Sequence, residues 1–278
     1  MNNFLKRSCR ATTATILLFA TVSSVQAGGL VDTSPEQFAA TVFTDSANIS
    51  NPWWTLPEGT NFLYFAETED GCEWNLVEVL DDTTDNFGGV YAGTEARIVL
   101  DREWLDADCE YAGDPANFAA MVAAVGDPEE ATYDWFAQDE DGNIWYMGED
   151  TRDSEGSSEG SFIAGCEGAE AGIVMLADPS AGDFYRQEFY AGEAEDWGKV
   201  TTFIDAEGDL VCLKTKEWSP LETGHNEHKF YCSDGDIGVL AWIDELKGKT
   251  VTVNLIGEVD EGDIPDPPAE VPDPIPDC

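Results

Sequence analysis

Asp141-Gly142 separates two aromatic, β-branched runs, Thr132–Gln138 and Asn143–Met147. An acidic residue followed by glycine between such runs favours the tight turn that joins two antiparallel strands. Glu207-Gly208 divides Thr201–Ile204 from Leu210–Lys216 in the same way. Further strands are expected at Phe62–Ala66, Trp74–Val79, Ala96–Leu100, Phe184–Tyr190, His228–Cys232, Val239–Ile243 and Thr250–Ile256. Only two helices have readable starts. Ser34-Pro35-Glu36-Gln37 offers a cap, a proline at the first helical position and Gln three residues after the cap, with the helix running to about Phe43. Asp114-Pro115 opens the second, Ala116–Val125, and Gly126 closes it. No strand–helix–strand alternation signals a parallel sheet, and no fixed-period repeat is present. The expected class is all-β, a curved antiparallel sheet or partly open barrel with two short helices.

The ends of the chain read differently. Lys6, Arg7 and Arg10 precede an apolar stretch from Ala14 to Val22, and Val25-Gln26-Ala27 follows. That is the pattern of a secretory signal peptide, residues 1–27, with cleavage expected after Ala27. An uncleaved anchor is the alternative, but the apolar stretch is shorter than the ~20 residues of a spanning helix. No later segment is long and apolar enough to span a bilayer. About 250 residues then remain, enough for one sizeable domain, expected over 28–257. Residues 258–278, acidic and proline-rich, read as a disordered tail or spacer. Six cysteines survive cleavage: Cys72, Cys109, Cys166, Cys212, Cys232 and Cys278. An even set in an exported chain points to disulfides, at least two of them among the first five, and Cys72 with Cys109 is the first expected pair. None forms CxxC, which argues against a thioredoxin-like site or a zinc ribbon. The protein is therefore expected to be secreted or periplasmic.

Charge limits the partners. The chain has 57 Asp+Glu against 13 Lys+Arg, and loss of the three leader cations takes it from −44 to −47. Such a surface repels nucleic acid and anionic lipid and favours cations, a basic partner or very salty water. Nine tryptophans and 42% hydrophobic residues argue for a packed core rather than a disordered acidic chain.

Candidate sites are few. Gly156-Ser157-Ser158-Glu159-Gly160 fits G-x-S-x-G, but an acidic loop precedes it and a strand-like segment follows, whereas a nucleophile elbow needs a strand before and a helix after. His225 and His228 lie three apart, on opposite faces of any strand, unless a turn at Gly224 brings them together for Zn or Cu. Asp139, Asp141 and Asn143 offer hard oxygen ligands for Ca²⁺ at a tight turn, although the spacing is not that of an EF-hand. Asp234-Gly-Asp236 is a weaker version. Glu193–Asp196 reads as a solvated turn rather than as catalytic carboxylates. Lysines and arginines are rare enough to matter: Lys214, Lys216 and Lys229 are expected either to tie strands together through ion pairs or to hold an anionic group.

Several phrases resemble a family of uncharacterised bacterial exported proteins: Asn51-Pro-Trp-Trp-Thr-Leu-Pro-Glu-Gly59, Tyr133-Asp-Trp-Phe-Ala-Gln-Asp-Glu-Asp-Gly-Asn-Ile-Trp-Tyr-Met-Gly-Glu149, and Cys212-Leu-Lys-Thr-Lys-Glu-Trp218 with Glu227-His-Lys-Phe-Tyr231. The resemblance spans most of 51–256 and implies an exported β-sheet protein without an assigned activity. The stretch Tyr231–Gly238 also resembles a turn in exported lipoproteins with a curved antiparallel sheet, with Cys232 and extra acids as departures. The sequence-level reading is thus a non-catalytic container or docking protein for an apolar or amphipathic ligand or a partner protein. Its expected ligand-binding residues are Trp135, Trp145, Tyr146, Lys214 and Lys216. A calcium-dependent surface or matrix protein and an exported hydrolase are the alternatives.

Overall fold

The structure, a computed structural model, describes residues 28–206, 210–247 and 249–267. The expected signal peptide, the Glu207-Gly208 turn and Cys278 lie outside these residues.

The chain opens with α1 (Pro35–Ala40), then a ribbon of β1 (Ile49–Ser50) and β2 (Thr55–Leu56). Three long strands follow: β3 (Asn61–Glu67), β4 (Cys72–Thr84) and β5 (Ala96–Asp106). Next come α2 (Phe118–Val125), β6 (Glu130–Gln138) and β7 (Ile144–Asp153). Short pieces succeed them: β8 (Phe162–Ile163), β9 (Glu170–Met175), β10 (Phe184–Arg186) and β11 (Glu188–Phe189). The described strands end with β12 (Trp197–Asp205), β13 (Val211–Trp218), β14 (Glu227–Ser233), β15 (Gly238–Lys247) and β16 (Lys249–Gly257). The Ser34 hydroxyl accepts from the Gln37 amide at the start of α1, and Asp114 caps a 3₁₀ turn that leads into α2.

Thirteen of the described strands follow one another in an antiparallel sheet in the order β10-β12-β13-β14-β15-β16-β3-β4-β5-β6-β7-β9-β11, nearly closed into a barrel with one seam, and β8 pairs with β7 off this path. Both edges of the seam belong to one stretch of chain, 184–189. Phe184–Arg186 pair with β12, and Glu188 and Phe189 pair with β9. Gln187 lies between the two pieces of what the sequence suggests is a single strand, and its amide extends the ladder to β12 by donating to the Asp196 carbonyl. A Cβ on Gly172 would meet the Arg186 and Gln187 backbone at 2.3–2.4 Å, so only glycine lets β9 approach the seam this closely. β9 itself is missed from sequence: its uninterrupted apolar run has no period-two signature.

Alternating strand directions place turns 139–143 and 234–237 at one end of the barrel and loops 154–161, 190–196 and 219–226 at the other. The first end is plugged by the β1–β2 ribbon. Asn51, 1% exposed, donates to the carbonyls of Gly142 and Leu176 and accepts from the Trp53 amide. Trp54 then packs against Phe136 and Tyr231, and Trp53 against Phe203.

Much of the hydrophobic core lies outside the barrel wall. One cluster packs α1 and the 87–91 segment on the outer face of β5–β7 and β9. A smaller one packs α2 on Trp74, Leu76 and Trp104. Val259 and Ile264 belong to the smaller cluster, which corrects the expectation of a disordered tail for residues 258–267. Val259 is buried and exchanges two hydrogen bonds with the Asn61 side chain, while Arg102 donates to the carbonyls of Pro265 and Asp266. Asn61→Ala should cost about 1–2 kcal/mol, read by chemical denaturation. A change below a few tenths would show that this docking carries no stability.

Cys72–Cys109 and Cys212–Cys232 are disulfides, and Cys166 is also disulfide-bonded. No helix among the described residues is long and apolar enough to cross a membrane. Two cross-links fit an oxidising compartment.

Candidate functional site

Inside the barrel is a chamber of about 440 Å³. Trp54, Leu56, Phe62, Phe136, Val174 and Leu240 give it an apolar region next to the plug. Ten acids also line it: Glu73, Asp101, Glu103, Asp134, Glu149, Glu188, Asp196, Glu217, Glu227 and Glu245. Among the described residues its wall carries one cation, Lys229. The open end widens into a vestibule of about 600 Å³, rimmed by Glu159, Glu193, Glu195 and Glu222. Chamber and vestibule share Glu188, Asp196, Glu217, Glu227 and Lys229, which form the neck between them.

Strand periodicity selects these side chains. Successive residues face opposite sides of a sheet, so Glu227, Lys229 and Tyr231 point inward while His228, Phe230 and Cys232 take the other face. Tyr146 and Glu149 are three apart and would ordinarily face opposite ways. A β-bulge reconciles them: Phe136 pairs with Tyr146 and Trp135 with Gly148, leaving Met147 as the extra residue. Gly148 has φ 144°, and a Cβ there would lie 2.4 Å from the Phe162 carbonyl oxygen. The bulge thus brings Asp134, Tyr146 and Glu149 together on the inner wall.

The electrostatics follow from crowding acids in a confined space. Burial raises Asp101 to about 6, opposed by a hydrogen bond from Asn75. Burial, then Asp101, Glu130 and other acids, raises Glu103 to about 8, although the residue is partly open to solvent. Burial raises Glu149 to about 7, against a hydrogen bond from Tyr146. Asp134 and Glu188 are pushed well above the usual carboxylate range, by burial and then by Glu149. Lys229 goes the other way. Burial opposes its charge, but Glu217 and Glu227, with oxygens 3.0 and 3.6 Å from its Nζ, overcome that and keep it protonated.

Of the expected ligand-binding residues, only Tyr146 lines the chamber. Trp135 and Trp145, each 1% exposed, face the outer core instead. Trp135 packs near Phe87, and Trp145 against Phe38 and Phe43. Alternation puts their neighbours Phe136 and Tyr146 inside. Lys214 and Lys216 lie on the outer wall over the rings of Phe230 and Trp218, outside both cavities. The proposed calcium turn is also corrected. Asp139 is buried, and its two oxygens accept from the Asn143 amide, the Asn143 side chain and the Trp145 indole N–H. It locks the hairpin, while Asp141 points to solvent. No three His, Cys, Asp or Glu among the described residues converge to hold a metal ion. His225 lies at the vestibule beside Glu222, but His228 faces away from it, so the two do not meet. Ser158 is exposed in its loop. The four arginines among the described residues all form ion pairs: Arg97 with Glu58, Arg102 with Glu78, Arg152 with Asp150 and Arg186 with Glu170.

No family model, no curated protein and no solved structure matches the chain.

Proposed function

We propose that this is an exported binding protein whose barrel takes up an amphipathic organic cation, an amine with an apolar or aromatic tail. The observation that carries the reading is the chamber's lining, among the described residues, of ten acids against one lysine, next to an aromatic region formed by Trp54, Phe62 and Phe136. A tail fits the apolar region, and an ammonium group meets carboxylates toward the neck. The acidic vestibule raises the local concentration of cations and speeds their entry. Carboxylates spread around the wall suit an organic cation that donates hydrogen bonds in several directions better than a calcium ion, which needs converging oxygens. The leader-like start, the disulfides and the resemblance to exported proteins support export.

Three probes of nearly equal shape test this: phenethylamine, neutral 2-phenylethanol and anionic phenylacetate. Calorimetry near neutral pH should rank the amine about tenfold or more above the alcohol, or about 1.4 kcal/mol, with phenylacetate weakest. Trp54→Ala should weaken the amine. Equal binding of all three, or a preference for phenylacetate, would sink the cation reading.

A further inference from the structure

Tyr146 stands between two acids. Its Oη is within hydrogen-bonding reach of Asp134 Oδ1 and 2.6 Å from Glu149 Oε2. Two oxygen–oxygen hydrogen bonds each need a proton between the oxygens. A phenol supplies one, and an ionised carboxylate supplies none. Tyr146 therefore donates to one acid, and the other acid, as a neutral carboxylic acid, donates to Tyr146. The three oxygens hold two protons where a tyrosine between two carboxylates would hold one.

The surroundings favour keeping that extra proton. Asp101 faces Asp134 and Glu149 from β5, Glu130 faces Glu149 from β6, and Glu188 faces Tyr146 from β11. Asp196 adds its charge from the segment before β12, and Lys229, on β14, opposes them. A second full negative charge beside Tyr146 would sit in a half-closed chamber among like charges. The Phe136 ring stacks on Tyr146 at 5.0 Å and closes one side of the group.

We propose that ligand uptake in the chamber is a proton-for-cation exchange at Asp134, Tyr146 and Glu149. This rests on the cation-binding reading above. As a protonated amine docks, the carboxylic O–H bond breaks, its proton leaves through the neck to bulk water, and the carboxylate so formed accepts an N–H hydrogen bond from the ammonium group. One positive charge enters and one leaves, so the chamber's net charge is unchanged. Uptake is thereby favoured at neutral or alkaline pH and release in acid. The ligand class narrows to amines with N–H donors, since a quaternary ammonium offers the carboxylate no hydrogen bond.

Phenethylamine titrated near pH 7 into wild-type protein, in buffers of different ionisation enthalpy, should release about one proton per amine bound. Glu149→Gln, which cannot ionise, should bind several-fold more weakly and release close to none. Binding without proton release, or equal release in wild type and Glu149→Gln, overturns the exchange alone. Failure of phenethylamine and other primary amines to bind at all overturns the ligand reading and the exchange with it. An infrared difference spectrum of wild type against Glu149→Gln and Asp134→Asn should show a neutral carboxylic C=O stretch near pH 7. Its absence overturns the shared proton without reference to any ligand.

Discussion

The thermal midpoint of this protein should fall by roughly 10 °C between about pH 5 and about pH 9. Chamber acids hold protons in the folded state that the unfolded chain has already lost. Where the folded state binds more protons, stability falls as pH rises. Asp101 goes from an ordinary value of 3.8 to about 6, and Glu149 from 4.5 to about 7. Their contribution is complete below about pH 4 and is lost as pH passes through these folded values, with Glu103 following near 8. One unit is about 1.4 kcal/mol, so Asp101 and Glu149 together represent a few kcal/mol. Glu103, which is exposed, adds less than its shift alone implies. Surface acids do not give this slope, because they are ionised throughout the range. Molar NaCl, which screens the surface far more than the interior, should leave most of the slope in place. A midpoint that is flat or rises from pH 5 to pH 9 would show that the chamber acids are ionised and solvated at no cost. An amine bound in the chamber should restore much of the loss at the alkaline end, which joins the stability measurement to the proposed ligand.

The architecture was legible because its signals are local. Asp141-Gly142, the Ser34 and Asp114 caps and the Gly126 stop each depend on a few neighbouring residues, and all appear in the structure at or near the expected positions. The Cys72–Cys109 pair was also expected. The site was much less legible. A curved sheet has two apolar faces here, one on the outer core and one in the chamber, so aromatic alternation says that both are used but not which encloses the cavity. The sequence therefore points Trp135 and Trp145 to the chamber, whereas they face the outer core. The bulge at Met147 hides the pairing of Tyr146 with Glu149, because a two-residue period separates them. Inward acids such as Glu217 and Glu227 have the alternation of a solvated face, and nothing local distinguishes a strand face turned to bulk water from one turned to a wet chamber. The tail misled for a different reason. Its composition lacks periodicity, but Val259 and Ile264 need only one pocket each, and Asn61 and Arg102, far away in sequence, hold the backbone between them.

Lys229→Met should destabilise the protein by about 3 kcal/mol, the largest loss expected from one substitution at the chamber. Lys229 is the counter-charge for Glu217, whose side chain is only 7% exposed, and for Glu227. Glu217 is also the acceptor for Gln187 Nε2 at 3.0 Å and for the Thr215 hydroxyl at 2.8 Å. Gln187 lies between β10 and β11, so the lysine supports a carboxylate that ties β13 to the seam. Methionine keeps most of the side chain's volume and removes only the charge. The cost is then that of a carboxylate left buried without its cation, not of a cavity. Adding Glu217→Gln to the variant removes that stranded charge while keeping an acceptor for Thr215, and the double variant should regain about half of the loss. Denaturation curves for wild type, the two single variants and the double variant give the coupling directly. The variant also has a consequence for binding. With the resident cation gone, Glu217 and Glu227 are free to meet an incoming one, so phenethylamine should raise the midpoint of Lys229→Met by more than it raises that of wild type. A loss under about 1 kcal/mol would mean that water already screens the pair, and that the neck is an open passage instead of a site with a built-in counter-ion.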